Sequence, residues 1–202
     1  MYTLENFINF FALYFLVIDP IGTLAVFLSV LPNIKTNKEK VAIEAVFYAF
    51  LILVFFLLLG GFILAHLNID LYSLKIAGGI ILLIISLEMM FDKRLERKEK
   101  IIKSDDIYNP IFPLAIPLLA GPASITSVIV TTSDSLSYSH YINNVLAILA
   151  VLIITLFLFL ITLRFERFLK KQILQVTSRI IGILLAALSL QYILDGISQF
   201  IG

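Results

Sequence analysis

The fold is decided by an interruption of the first apolar segment, where the sequence reads LVIDPIGTLAVFL from Leu16 to Leu28. Proline in a helix interior removes a backbone hydrogen bond and clashes with the preceding turn, which costs about 3 kcal/mol. An aspartate at the centre of a bilayer adds about 2.5–3.5 kcal/mol on insertion scales. The adjacent Asp19 and Pro20 therefore predict a helix that ends near Ile18 and restarts with Asp19 as its N-cap.

The composition indicates that this segment crosses a membrane. The chain has 202 residues, of which 60% are hydrophobic and 14% charged, and its mean hydropathy is +1.04. A soluble domain carries about a quarter charged residues, whereas a bilayer-crossing helix needs roughly 20 mostly apolar ones. Six stretches meet that need: residues 4–31, 41–67, 71–91, 110–132, 145–163 and 180–201. The first has no basic segment before it, so we expect it to be retained and not cleaved as a signal peptide.

The same composition argues against several classes of function. There is no cysteine for a disulfide framework, two histidines leave little for zinc, and a net charge of +1 argues against nucleic-acid binding. An intramembrane protease would need a buried Ser–His pair, two deep aspartates or an H-E-x-x-H-like pair. Only Asp19 lies deep, and both histidines fall at predicted helix ends. We therefore expect neither enzymatic activity, nor a metal site, nor a cofactor.

Basic residues are divided unequally between the two predicted faces. Of the fifteen lysines and arginines, every one except Lys75 falls in the connections between spans 1 and 2, 3 and 4, or 5 and 6. Short connections rich in lysine and arginine are typical of the cytoplasmic side. The sequence thus predicts a multi-pass protein with both termini outside the cell.

The second half of the sequence repeats features of the first. The segment Asp19–Gly22 aligns with Gly121–Ser124, 102 positions later, and Gly79 aligns with Gly182, 103 positions later. Three spans in each half place the second copy in the membrane upside down, as in many secondary transporters. We therefore predict one all-helical transmembrane domain made of two inverted three-helix repeats. They are residues 1–91 and 110–202, joined by a charged cytoplasmic linker at 92–109.

The fourth span contains the counterpart of the first break. Gly121 and Pro122 lie near its middle, so a second half-helix is predicted to start at Pro122. In the predicted topology the two restarted helices have their N-termini at the bilayer midplane. Each N-terminus offers unpaired N–H groups and about half a positive charge, which suits a carboxylate. Asp19 suits an ammonium group or a proton, so a zwitterion would satisfy both.

These two motifs resemble those of a known family. The segment Asp19–Thr23, followed by a helix that ends at Leu31 and Pro32, resembles the first motif of the MarC family, and Pro117–Pro122 resembles the second. The resemblance extends over essentially the whole chain. It implies an inner-membrane transporter with six helices for small neutral amino acids such as glycine or alanine. Ala123-Ser124 departs from the Gly-Ala of many relatives and adds a hydroxyl, which leaves the exact substrate open.

We expect the substrate to bind around the two breaks. The predicted binding residues are Asp19, Pro20, Gly22, Thr23, Gly121, Pro122, Ala123, Ser124 and Thr126. Asp19 and Glu88 are candidates for coupling to protons or sodium, although Glu88 equally fits an interfacial carboxylate near the cytoplasmic end of span 3. The expected partners are the lipid bilayer and a small neutral amino acid, while the oligomeric state stays open. An exporter of another small solute or ion, or a channel, is the alternative function.

Overall fold

Long apolar runs form helices here because a helix satisfies its own backbone hydrogen bonds without water. The computed structural model describes residues 2–31, 34, 37–91, 114–133, 137–165 and 171–201, and over these ranges it contains helices and no strand. The helical segments are α1 (Tyr2–Ile18), α2 (Pro20–Val30), α3 (Lys38–His66), α4 (Leu71–Met90), α5 (Leu114–Leu119), α6 (Pro122–Ser133), α7 (Tyr138–Phe165) and α8 (Lys171–Ile201).

Five of the six predicted spans are confirmed as helices long and apolar enough to cross a membrane. They are α1 with α2, α3, α4, α7 and α8. The fourth predicted span is corrected, because its described part contains the short segment α5 and a short apolar helix, Pro122–Thr132, and no helix long enough to cross a membrane. Before that helix the chain is irregular: Ile116 is extended (φ −129°, ψ 126°), and the peptide bond to Pro117 is cis. The start of this span, residues 110–113, lies outside the described residues.

Both ends of α3 are capped, and the cap at its C-terminus shapes the turn to α4. The Asn37 side chain accepts hydrogen bonds from the first-turn N–H groups of α3. At the other end Asn68 adopts a left-handed conformation (φ 53°), and the Ile69 N–H bonds back to the Leu64 carbonyl at 3.0 Å. This is a Schellman arrangement, which asparagine tolerates at the position after the cap. The short turn that results reverses the chain, so α4 runs antiparallel to α3.

The tightest helix pair is α4 against α8, and glycines make the close approach between them. A Cβ atom on Gly79 would lie 2.8 Å from the Ser189 carbonyl oxygen, and one on Gly182 would lie 3.2 Å from that of Ser86. A Cβ on Gly196 would come within 2.9 Å of the Tyr72 carbonyl oxygen. Residue numbers rise on α8 as they fall on α4, so the pair is antiparallel.

The broken helix α1–α2 runs alongside α7 in the same direction. The Phe10 ring meets the His140 ring edge-on at a centroid distance of 4.9 Å. Beyond the break, Phe27 stacks on Phe159 at 4.2 Å with an interplanar angle of 14°. Both phenylalanines of this second pair are fully buried. The two halves of the interrupted helix therefore share one supporting helix.

Helix α6 lies between α3 and α4. A Cβ atom on Gly60 of α3 would lie 2.5 Å from the Ile129 side chain, and one on Gly78 of α4 would lie 2.2 Å from that of Thr126. Helix α3 also packs against α5 and α7, while α2 packs against α7 and α8. The interrupted helices are thus enclosed by the four long ones.

The described ends beside the basic segments lie at one end of the bundle. Asn37, Lys38 and Glu39 at the start of α3 share a cavity with Leu163 near the end of α7. Gly182, in the first half of α8, lies opposite Met89 at the end of α4. This grouping agrees with the alternating topology expected from the sequence. The cytoplasmic assignment of that end stays a prediction, and the charged linker at 92–109 lies outside the described residues.

Candidate functional site

The first break is a helix restart built around Asp19. This residue has a left-handed backbone (φ 53°, ψ 70°), and its side chain caps α2, which begins at Pro20. The Gly22 N–H donates to Asp19 Oδ1 at 3.0 Å. Aspartate is among the few residues that tolerate this backbone region, and proline is favoured at the first helical position. The predicted restart at Asp19–Pro20 is confirmed.

Oxygen atoms cluster beside this break in a fully buried position. Asp19 and Thr23 have no solvent-exposed surface, and Thr23 Oγ1 donates to the Ile18 carbonyl at 3.0 Å. A Cβ atom on Gly22 would lie 1.9 Å from Asp19 Oδ2 and 3.0 Å from Ser178 Oγ. The carboxylate and the Ser178 hydroxyl therefore border the same point above Gly22, and only glycine leaves room there.

The second break also starts a helix at a proline, but the residue before that proline is a glycine and not an aspartate. Helix α6 begins at Pro122, as predicted, and its first intrahelical bond runs from the Ile125 N–H to the Gly121 carbonyl at 3.0 Å. A Cβ on Gly121 would lie 2.5 Å from the Pro117 carbonyl oxygen, so glycine is required here too. Glycine has no side chain with which to cap α6. The N-terminal amides of α6 therefore face no carboxylate from their own preceding residue.

The two interrupted helices pack against each other on both sides of their breaks. Helix α1, before the first break, packs against α6, after the second, and α2 packs against α5. Val17 and Ala123, each two residues from a break, belong to the same hydrophobic cluster. This arrangement brings both restarts to the same region inside the bundle.

Most of the predicted binding residues are buried at these breaks. The buried ones are Asp19, Pro20, Gly22, Thr23, Gly121, Ala123, Ser124 and Thr126. Pro122 is exposed, so it starts α6 without lining the buried region. The Thr126 methyl group is directed at Gly78 of α4 and packs there. Glu88 is partly buried in the last turn of α4, on neither of the interrupted helices.

One detail of the electrostatics differs from the expectation. Both restarted N-termini were expected to be open to a substrate carboxylate, but the Asp19 carboxylate already occupies that of α2. An anion at a helix N-terminus satisfies both its N–H groups and its dipole. Of the two restarted helices, therefore, only α6 has an N-terminus without an anionic cap residue. Among the described residues, no cluster of three or more His, Asp or Glu side chains is placed to hold a metal ion.

Sequence reasoning missed Ser178. It lies on α8, is 5% exposed, and approaches the first break from a helix whose apolar run was predicted to begin only at residue 180. Its repeat counterpart, 103 positions earlier, is Lys75. The repeat pattern therefore carried no signal for a hydroxyl at this position.

Comparison with known proteins decides the family. The model described as MarC family integral membrane protein matches residues 4–201. The chain belongs to the MarC family. A membrane protein of this kind from Methanocaldococcus jannaschii is 36% identical over 96% of this chain and 97% of its own. One from Archaeoglobus fulgidus is 32% identical over 97% and 94%. No solved structure matches the chain significantly.

Membership of the MarC family confirms the resemblance drawn from the two motifs. A third relative, the inner membrane protein YhgN of Escherichia coli, is 28% identical over 98% of both chains. The names of these relatives specify membrane proteins and state no substrate. With its apolar helices, this family member is a multi-pass integral membrane protein.

Proposed function

We propose that this protein is a secondary transporter that moves small neutral amino acids across the membrane by alternating access. The observation that carries the proposal is the packing of two interrupted helices against each other on both sides of their proline-started breaks, with the fully buried Asp19 at one of them. A buried carboxylate is expensive in a membrane protein and typically marks a substrate or ion pathway. Breaks in transmembrane helices that face the protein interior are typical of transporter binding sites.

Repeat-related contacts support an inverted-repeat architecture, which many alternating-access transporters share. Gly79 approaches the Ser189 carbonyl, and Gly182 approaches that of Ser86. A shift of 103 positions takes Gly79 to Gly182 and Ser86 to Ser189, which turns the first contact into the second. Two copies of one unit, related by a two-fold axis, make each such contact twice.

The helix pairs follow the same rule. Helix α1 packs on α7 as its counterpart α5 packs on α3, and α2 packs on α7 as α6 packs on α3. The pair α2 with α8 corresponds in the same way to the pair α6 with α4. Because of this symmetry, the protein can adopt two conformations of similar energy, one with each end of the binding site open.

The chemistry of the breaks favours a zwitterion of small size. Asp19 Oδ2, the Ser178 hydroxyl and the carbonyls at the end of α1 suit an ammonium group. The N-terminal amides of α6 suit a carboxylate, because their helix has no anionic cap residue. Gly22, Gly121 and Ala123 leave little volume between these groups, which favours glycine or alanine over larger amino acids. Asp19 is also our candidate for proton or sodium coupling, and Glu88 is the second.

Uptake of labelled alanine into proteoliposomes tests the proposal. The decisive variant is Asp19→Asn, which keeps the size of the side chain and removes its charge. The matched control is Glu5→Gln, which makes the same chemical change at an exposed position of α1. We expect Asp19→Asn to lower uptake at least about tenfold, since a charged hydrogen bond contributes about 1.5–3 kcal/mol, and Glu5→Gln to leave it unchanged. Equal uptake by wild type and Asp19→Asn would exclude this site.

A further inference from the structure

We propose that Tyr14 gates a polar pathway that leads from the helix breaks to the end of the bundle where α6 connects to α7. This inference rests on the proposed transport function and adds the residues that close one end of its path. The Tyr14 hydroxyl bonds to Asn144 Oδ1 at 2.5 Å and to Thr131 Oγ1 at 2.8 Å. A single hydroxyl thus ties α1 to both α7 and α6.

The gate is a closed layer inside the bundle. Tyr14 and Asn144 have no exposed surface, and Thr131 is 8% exposed. Above it, His140 Nε2 is hydrogen-bonded to the Thr131 carbonyl at 2.6 Å, and the Phe10 ring packs edge-on against the imidazole. Two successive layers therefore separate the breaks from this end of the molecule.

A line of hydroxyls on α6 leads from the gate to the second break. Ser124, Ser127 and Thr131 are spaced i, i+3 and i+7, so they share one face of the helix. Thr131 meets Tyr14 of α1, and this face is therefore the one directed at the interrupted helix α1. Ser127 lies one helical turn deeper than Thr131, between the gate and Gly121.

One hydroxyl of this line lacks a hydrogen bond. Within the described part of the chain, Ser127 Oγ has no hydrogen-bond partner, although Ser127 has no exposed surface. Buried polar groups in proteins are nearly always paired. The Ser127 hydroxyl would be satisfied in a second conformation in which this face of α6 meets water or a polar solute, which is what a pathway behind an open gate provides.

The gate exists at one end of the bundle only. A shift by the 102-residue repeat spacing takes Tyr14 to Ile116 and Asn144 to Ala42. Both counterparts are apolar, so the second repeat cannot build the same hydrogen bonds at the other end. Loss of the Tyr14 hydroxyl should therefore favour opening at this end selectively.

Cysteine accessibility tests the gate, since the native chain contains no cysteine and each introduced thiol is the sole target. The reporter is Ser127→Cys, labelled with a membrane-impermeant maleimide in proteoliposomes. Ser139→Cys is exposed beside the gate and identifies the side from which the reagent must come. Ser86→Cys, fully buried at the α4–α8 contact, reports general loosening.

Two substitutions open the gate independently. Tyr14→Phe keeps the ring and loses both hydrogen bonds, and Thr131→Val loses one of them. We expect Tyr14→Phe to raise the labelling rate of Ser127→Cys about tenfold, as expected for the loss of one or two hydrogen bonds, with a smaller rise in Thr131→Val. Labelling of Ser86→Cys should not change.

An unchanged Ser127→Cys rate in both gate variants would overturn the gate. An equal rise at Ser86→Cys would overturn it as well, because the bundle as a whole would then have loosened. The assay measures access and needs no substrate. A wild-type protein that takes up no amino acid therefore contradicts the proposed function alone, while the labelling rates decide the gate.

Discussion

Gly22→Ala is the substitution whose effect follows most directly from the site geometry. A Cβ atom there would lie 1.9 Å from Asp19 Oδ2 and 2.8 Å from Asp19 Cγ. The carboxylate would have to move by about 1.5 Å to reach an ordinary van der Waals separation. That movement breaks the bond from the Gly22 N–H to Asp19 Oδ1 and uncaps α2.

The net effect on stability is the difference of two terms. Loss of a hydrogen bond to a charged acceptor costs about 1.5–3 kcal/mol. Alanine in place of glycine in a helix regains about 0.5–1 kcal/mol. We therefore expect Gly22→Ala to lower the free energy of unfolding by about 0.5–2.5 kcal/mol. Gly61→Ala is the matched control, because a Cβ there meets nothing within 4 Å and should stabilise by about 0.5–1 kcal/mol.

The assay is denaturant unfolding of the purified protein in one detergent, followed by circular dichroism. The clash is confirmed if Gly22→Ala destabilises the wild type but not the Asp19→Ala variant, in which the obstructing carboxylate is absent. The reasoning is refuted if Gly22→Ala is as stable as Gly61→Ala, or if its effect is the same in both backgrounds.

Three further outcomes are expected. Asp19→Asn should have a free energy of unfolding within about 1 kcal/mol of the wild-type value while transport falls, because asparagine caps helices as well as aspartate does. A large loss of stability would show instead that the charge of Asp19 is needed for folding. Gly79→Val should destabilise by about 1–3 kcal/mol through overpacking against the Ser189 carbonyl, and wild-type stability would contradict the close α4–α8 contact. Phe159→Ala should lower the free energy of unfolding by about 3–5 kcal/mol, because the Phe159 ring is fully buried against Phe27. The same unfolding assay measures this loss, and a loss under about 1 kcal/mol would contradict that packing.

Features set by local chemistry were predictable from the sequence. Asp19-Pro20 and Gly121-Pro122 determine their breaks through proline sterics and capping, which involve only neighbouring residues. The five long spans follow from apolar runs that exceed the thickness of a bilayer. The fourth was predicted as a full span because its composition is apolar, but the extended Ile116 interrupts any regular helix there.

Features that depend on how helices face one another were not predictable. Ser178 reaches the first break only because α2 packs against α8. The Tyr14 hydroxyl finds Thr131 and Asn144 over sequence separations of 117 and 130 residues, and nothing local in the sequence signals those contacts. His140 was predicted to lie at a helix end, and the packing of α1 alongside α7 buries it partly against Phe10.

Counterflow of alanine tests the central claim most directly. Proteoliposomes loaded with excess unlabelled alanine are diluted into a trace of labelled alanine, and the internal label is followed over time. A transporter that works by alternating access should concentrate the label transiently above its external level, and Asp19→Asn should abolish that overshoot while Glu5→Gln preserves it. Label that only equilibrates, without an overshoot, would indicate a channel and contradict the account. An overshoot that persists in Asp19→Asn would contradict the role of the broken helix.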